Sequence, residues 1–185
     1  MSTRRQAREW AVQLLFQLDA SARTATGAEE SLDLDRVFEE FWAMQLRSCD
    51  EASASPVSDE AELFADADWR ERVADRATRE FCEDIVAGTA EHLQAIDEAI
   101  AKAAEHWKLD RMGGVERSAL RMGAYEILYR RKEVPVPVAI NEAIDVCKYF
   151  GMRSSAQFVN GVLDRIAKGA SRPGSEEPEE WSPAR

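Results

Sequence analysis

The sequence predicts an all-α protein, a bundle of about six or seven helices. Three observations lead there. Apolar residues recur at the 3.6-residue period along most of the chain, and no stretch shows a convincing two-residue alternation. The connections between periodic segments are short and carry glycine or proline. An apolar fraction of 45% over 185 residues is enough to build a substantial core.

Taken in order, residues 3–20 form the first predicted helix, with Ala7, Trp10, Ala11, Leu14, Leu15 and Leu18 in one stripe. Although basic and then apolar, this start carries Arg8, Glu9, Gln13, Gln17 and Asp19 at helical spacing, so it reads as an amphipathic helix and not a signal peptide. A second helix is expected over residues 29–47, with Leu32, Val37, Phe38, Phe41, Trp42 and Leu46 apolar. The acidic, Ala/Ser-rich stretch at about 48–68, interrupted by Pro56, is expected to be a flexible insertion, with one helical turn at 62–65. Residues 69–107 read as one long helical pattern in which Gly88 marks either a bend or a close contact. After "KLDRMGG" a helix over 115–131 places Leu120, Ala124, Ile127 and Leu128 on one face. Pro135 and Pro137 end that pattern, and Pro137 suits the first turn of the next helix. There Ile140, Ala143, Ile144 and Cys147 follow i, i+3, i+4, i+7, and Gly151 closes the helix.

The last helix, over 155–168, opens with Ser154 and Gln157 as a capping box. It carries Asn160 and Gly161 at its centre, both poor helix-interior residues. The expectation is that Gly161 lets a neighbouring helix approach and Asn160 supplies a polar anchor. Residues 1–170 are thus read as one helical domain, and the Pro/Glu-rich 171–185 as a disordered tail.

The net charge of −11 is unevenly placed. Residues 1–23 carry +2, 24–105 carry −15, 106–170 carry +4 and 171–185 carry −2. Opposite fields on one small domain suit two partners, one anionic and one cationic. No run of 18 apolar residues exists, so no membrane-spanning helix is expected. Three widely spaced cysteines, Cys49, Cys82 and Cys147, read as thiols in a reducing cytoplasm.

Two basic elements carry binding chemistry. The start of the last helix presents free amides flanked by Lys148, Arg153, Ser154 and Ser155, with Phe158 one turn in as a stacking surface. The N-terminal "TRRQAR" adds Arg4, Arg5 and Arg8, of which Arg4 and Arg8 share a face. If the two helices meet, they make one surface for a sugar–phosphate strand.

The opening "RRQAREWAVQLLFQLD" resembles the start of the NusB family of antitermination factors. The resemblance strengthens through V-E-R-x-x-L-R, A-x-Y-E-[IL]-L, V-P-x-x-V-A-I-N-E-A-[IV], K-x-F-G and F-V-N-G-V-L-D, all present in that order between Val115 and Asp164. It covers residues 1–20 and 107–169 well and the middle loosely. The resemblance implies a helical bundle that binds boxA-type single-stranded RNA. Its implied partners are the small-subunit ribosomal protein NusE and the transcription elongation complex, in support of ribosomal RNA transcription. Carried over by position, it implies RNA contacts at Arg4, Arg5, Arg8, Lys148, Arg153, Ser154, Ser155 and Phe158, and ribosomal-protein contacts at Asp110 and Glu116. The chain departs from the family pattern at Ser154–Gln157, where an acidic residue before serine and then His or Lys are common. It departs again at Val136–Pro137, where an aromatic is common. The insertion at 48–68 is longer than the family leads one to expect.

No catalytic constellation accompanies these features. His92 and His106 lack metal-ligand neighbours, and "MGGVER" lacks both the phosphate-binding lysine and a preceding strand. A non-enzymatic protein without a cofactor is therefore expected, with a homodimer possible. Two other readings stay open: a helical protein–protein adaptor without RNA binding, and an accessory domain for a ribosomal RNA methyltransferase.

Overall fold

The computed structural model describes residues 3–24, 33–54, 75–105, 107–150 and 155–170. Within them lie seven α-helices: α1 (Thr3–Thr24), α2 (Leu34–Ala54), α3 (Arg76–Glu91), α4 (Leu93–Ala104), α5 (Gly114–Tyr129), α6 (Val136–Tyr149) and α7 (Ala156–Ala170). A short 3-10 turn, Leu109–Arg111, precedes α5.

Helix α5 is the axis of the bundle, packed by α1, α3, α4, α6 and α7. The sequence predicted one apolar face for it, yet every residue from Arg117 to Ile127 is buried. A helix enclosed on all sides must find partners for the charges it buries. Here Arg117, Arg121 and Glu126 are buried with ionic partners on other helices. The core itself comes from the predicted stripes: Trp10, Leu14 and Leu15 from α1, Leu120 and Ile127 from α5, Ala143 and Cys147 from α6, Val162, Leu163 and Ile166 from α7.

The expected 69–107 helix is divided. His92 leaves helical geometry (φ −102°, ψ 18°) and separates α3 from α4, its ring stacked on Tyr129 at 4.0 Å between centroids. Gly88 makes no bend. It lies inside α3 where the Tyr125 ring rests on the backbone, a place a Cβ would occupy. Helix α2 starts later than predicted, after Asp33, whose carboxylate accepts from the Arg36 amide at 3.1 Å. It also runs on to Ala54, so residues 48–54 are helical where a loop was expected. No proline or glycine occurs there before Pro56, and Ala and Glu favour helix. The remainder of the insertion, the 62–65 turn, Gly151 and the 171–185 tail lie outside the described residues.

The role expected of Asn160 and Gly161 is not the one they have. Both are exposed, and a Cβ on Gly161 would meet nothing within 4 Å. The close approach is made instead by Gly123, whose Cβ would come within 2.7 Å of Leu163 Cδ1 and 3.2 Å of Ala143 Cβ. Gly123 is thus what lets α6 and α7 both close on α5.

One polar clasp ties three helices. Asp19, near the end of α1, accepts from Arg117 and from Arg121 (2.8 Å), and Arg121 makes a two-point contact with Asp97 of α4 at 2.8 Å. Burial pushes the Asp19 carboxyl up, but hydrogen bonds and charge from the two arginines outweigh it and hold the carboxyl below its ordinary 3.8. A depressed folded-state value stabilises the fold above the unfolded value and is lost as pH falls through the folded one. Stability should therefore decline as pH drops below about 3.8, and Asp19→Asn should remove that part of the acid slope in urea melts at pH 2–5.

Candidate nucleic-acid interface

The Arg-rich start of α1 divides into three fates. Arg8 is buried, donating from Nε to Glu126 at 3.0 and 3.2 Å and pairing through Nη2 at 2.8 Å. Glu126 is fully buried. Burial pushes its carboxyl up, and the adjacent Arg8 guanidinium pulls it back. Arg8 therefore faces inward and holds α1 to α5, in contrast to the exposed contact expected. Arg4 is exposed, its guanidinium 5.3 Å from the Phe81 ring centroid. Arg8 and Arg130 lie over the same ring, so Phe81 carries three cations.

Arg5 is the residue that reaches toward the other element. It pairs with Asp145 of α6 at 3.3 Å, and Lys148 pairs with the same carboxylate at 3.1 Å. The two predicted cations thus sit either side of one acid on the outer surface, at the end of α6 that leads into α7. Arg5 also lies 3.7 Å from the Glu9 carboxylate, so the two cations are matched by two acids, one of them buried. Beside Lys148 stands Tyr149, 61% exposed and edge-on to Phe150 at 5.1 Å. Sequence reading did not single it out, because within the K-x-F-G motif attention falls on the matched positions.

Arg153 and Ser154 lie outside the described residues, as does the Ser154 half of the expected capping box. Ser155 is buried and its hydroxyl donates to Glu116, so it is turned from solvent. Glu116 also accepts from the Gly113 amide at 2.8 Å, making it the cap of α5. A residue expected to meet RNA and one expected to meet a protein partner are therefore bonded to each other. Asp110 is exposed in the 3-10 turn. Phe158 is half-buried in the first turn of α7, 5.4 Å from the ring of Trp107, which is 58% exposed. Trp107 was read only as the end of a helix. Its one usable signal was a tryptophan beyond the last full apolar turn.

Helices α1 and α7 make no extensive contact, and α6 stands between them and packs on both. Of the two basic elements only Arg5 and Lys148 meet, through Asp145; α1 does not pack on the start of α7 to any extent.

The NusB family model matches residues 43–168, more than half of the chain. The chain belongs to the NusB family. A transcription antitermination protein NusB of Anaeromyxobacter dehalogenans is 37% identical over 168 residues, covering 91% of this chain and 92% of that one. NusB of T. maritima has the same fold, with a TM-score of 0.63 at 29% identity over 91% of this chain and 93% of that chain. The fold is also that of NusB in a crystal structure of antitermination factors NusB and NusE with dsRNA, at TM-score 0.59, 24% identity and coverage of 91% and 98%. The family pattern spans the elements described above, from α2 to α7. Free thiols at Cys82 and Cys147 are buried; burial pushes Cys82 up and, with nearby Glu116, pushes Cys147 to about 11. Both thiols are accordingly protonated at neutral pH and serve as packing. Among the described residues no helix is long and apolar enough to cross a membrane.

Proposed function

We propose that this chain is a cytoplasmic, non-enzymatic antitermination factor that binds boxA-type single-stranded RNA together with the ribosomal protein NusE, in support of ribosomal RNA transcription. Membership of the NusB family across nearly the whole chain carries the reading. The surface that fits RNA best is the Arg5–Asp145–Lys148 group, flanked by Arg4 and Tyr149, with Phe158 at the start of α7 as a further aromatic. Cations supply the phosphate contacts and aromatics the sequence-tolerant stacking that single strands require. Arg8 and Ser155 contribute by fixing α1 and α7 on α5. On the protein side, the exposed Asp110 and the cap built on Glu116 offer an acidic patch to a basic ribosomal protein.

A boxA-type RNA titrated against the protein with NusE present, at two salt concentrations, tests this. Binding should weaken steeply with salt, and Arg5→Ala or Lys148→Ala should each reduce the log–log slope by about 0.7, the single-strand value per phosphate contact. Salt-independent binding, or none, rejects the reading. One observation favours a protein-only adaptor: two of the predicted RNA groups, Arg8 and Ser155, already bond carboxylates. In that case NusE binds and RNA adds nothing to the complex.

A further inference from the structure

Asp145 lies between two cations that come from different helices. Its Oδ2 pairs with Arg5 Nη2 of α1 at 3.3 Å, and its Oδ1 accepts from Lys148 Nζ of α6 at 3.1 Å. One carboxylate thus gives one oxygen to each cation. Helix α6 itself does not call for an acid there. Aspartate is a weak helix former, and its charge is disfavoured toward the C-terminal end of a helix. The helices do not depend on it either. Arg8, enclosed between α1 and α5, binds Glu126 at 2.8 Å and lies 3.9 Å from Glu142 of α6. Arg5, Asp145 and Lys148 are all partly exposed, so their ion pairs are open to exchange with other ions.

Arg5 has a second hold on the protein. Its Nε lies 3.7 Å from the buried Glu9 carboxylate, which also accepts from Gln6 at 3.2 Å. The atom that meets Asp145 is Nη2. Replacing Asp145 by a neutral residue of the same shape therefore frees Nη2 while Glu9 keeps the side chain in place. Lys148, in the last turn of α6, is released with it. A phosphate offers these two groups what the carboxylate offers them, a pair of anionic oxygens that a guanidinium and an ammonium can share.

We propose that Asp145 is a built-in competitor for RNA phosphate: it occupies the Arg5–Lys148 site until a phosphate displaces it, and so lowers the affinity of this surface for every RNA alike. The proposal rests on the RNA-binding reading and adds the regulation of that site. Phosphate contacts carry no sequence information, so the exchange costs a boxA-type strand and an unrelated strand the same amount. A strand with further contacts to its bases tolerates that cost, and one held by phosphates alone is released. Two exposed ion pairs are given up in the exchange. Each is worth about 1.4- to 5-fold in affinity, so together they amount to about 2- to 30-fold. Weakening the sequence-independent part of binding is one way a surface avoids wrong partners. An acid that served instead to order the two cations for RNA would have the opposite sign.

The test titrates a boxA-type RNA and a scrambled strand of equal length at two salt concentrations with NusE present. The proteins are wild type, Asp145→Asn, Lys148→Ala and the double variant. Asp145→Asn should bind both strands more tightly by a common factor of about 2- to 30-fold. Its salt dependence should steepen, because a negative charge beside the bound phosphates is gone. Its Tm should stay within about 2 °C of wild type, as for a surface substitution. In the Lys148→Ala background the same change releases only Arg5, and the gain should shrink to that of one ion pair, about 1.4- to 5-fold. Unchanged or weaker RNA binding by Asp145→Asn overturns the competitor and leaves the RNA-binding reading intact. So does a gain confined to the boxA strand, or one of equal size with and without Lys148, since a general charge effect does not run through that residue. Absence of RNA binding by wild type and Asp145→Asn alike overturns both readings.

Discussion

Glu126→Ala should cost about 3–5 kcal/mol, the range for breaking a buried ion pair from one side. Against a typical total of about 5–15 kcal/mol, that is enough to leave much of the protein unfolded at 37 °C. The reason is what remains behind. Arg8 is almost fully enclosed between α1 and α5, and without Glu126 its nearest carboxylate is Glu142 at 3.9 Å. A guanidinium cannot discharge itself by losing a proton, so the desolvated charge persists. Urea melts should show a lower midpoint at unchanged slope. The double variant Arg8→Met/Glu126→Leu removes both charges and should recover most of the loss. That double variant also decides what Arg8 does. If it folds and retains wild-type RNA affinity, Arg8 positions α1; a reduced salt slope would instead return Arg8 to the RNA surface.

Arg117→Ala should have a comparable effect, about 3–5 kcal/mol, through a different set of orphaned groups. Arg117 donates to Asp19 and to the Leu109 and Met112 carbonyls at 2.9 and 2.8 Å. Its removal frees the 109–113 turn, leaves two carbonyls unpaired and leaves the part-buried Asp19 with Arg121 and the more exposed Arg23. The same turn presents Asp110 and leads into the Glu116 cap. Affinity for NusE should accordingly fall more than RNA affinity does. Arg117→Lys should rescue little, since an ammonium on a flexible stem cannot span a carboxylate and two carbonyls in one plane. Calorimetry for stability and a NusE pull-down at matched folded fraction separate the two consequences.

Local patterns suffice for part of this fold. The apolar stripes of α1, α6 and α7 placed Trp10, Leu14, Ala143, Cys147, Leu163 and Ile166 correctly, because burial of a face leaves a 3.6-residue trace in composition. Helix α5 defeated that logic. Its buried polar residues look like a solvated face until their partners are known, and those partners lie about a hundred residues away, as with Arg8 and Glu126 or Arg117 and Asp19. The basic site was legible by residue type and only partly by role. Arg5 and Lys148 stand on the surface as expected, whereas Arg8 and Ser155 turned inward to carboxylates no spacing rule could assign. Gly161 was misread for a related reason: the same residue type serves tight packing at Gly123 and open space at Gly161.

By itself, then, the sequence determined the helical class, most of the core and, through its ordered motifs, the NusB family. These depend on local periodicity and on residue strings that survive in one dimension. Only the tertiary structure decided which arginines are buried and which reach the surface, that Arg5 and Lys148 share Asp145, and that Trp107 comes to lie against Phe158. Each of those is a long-range pairing, fixed by how helices distant in the chain close around α5 and by the demand that every buried charge find a partner there.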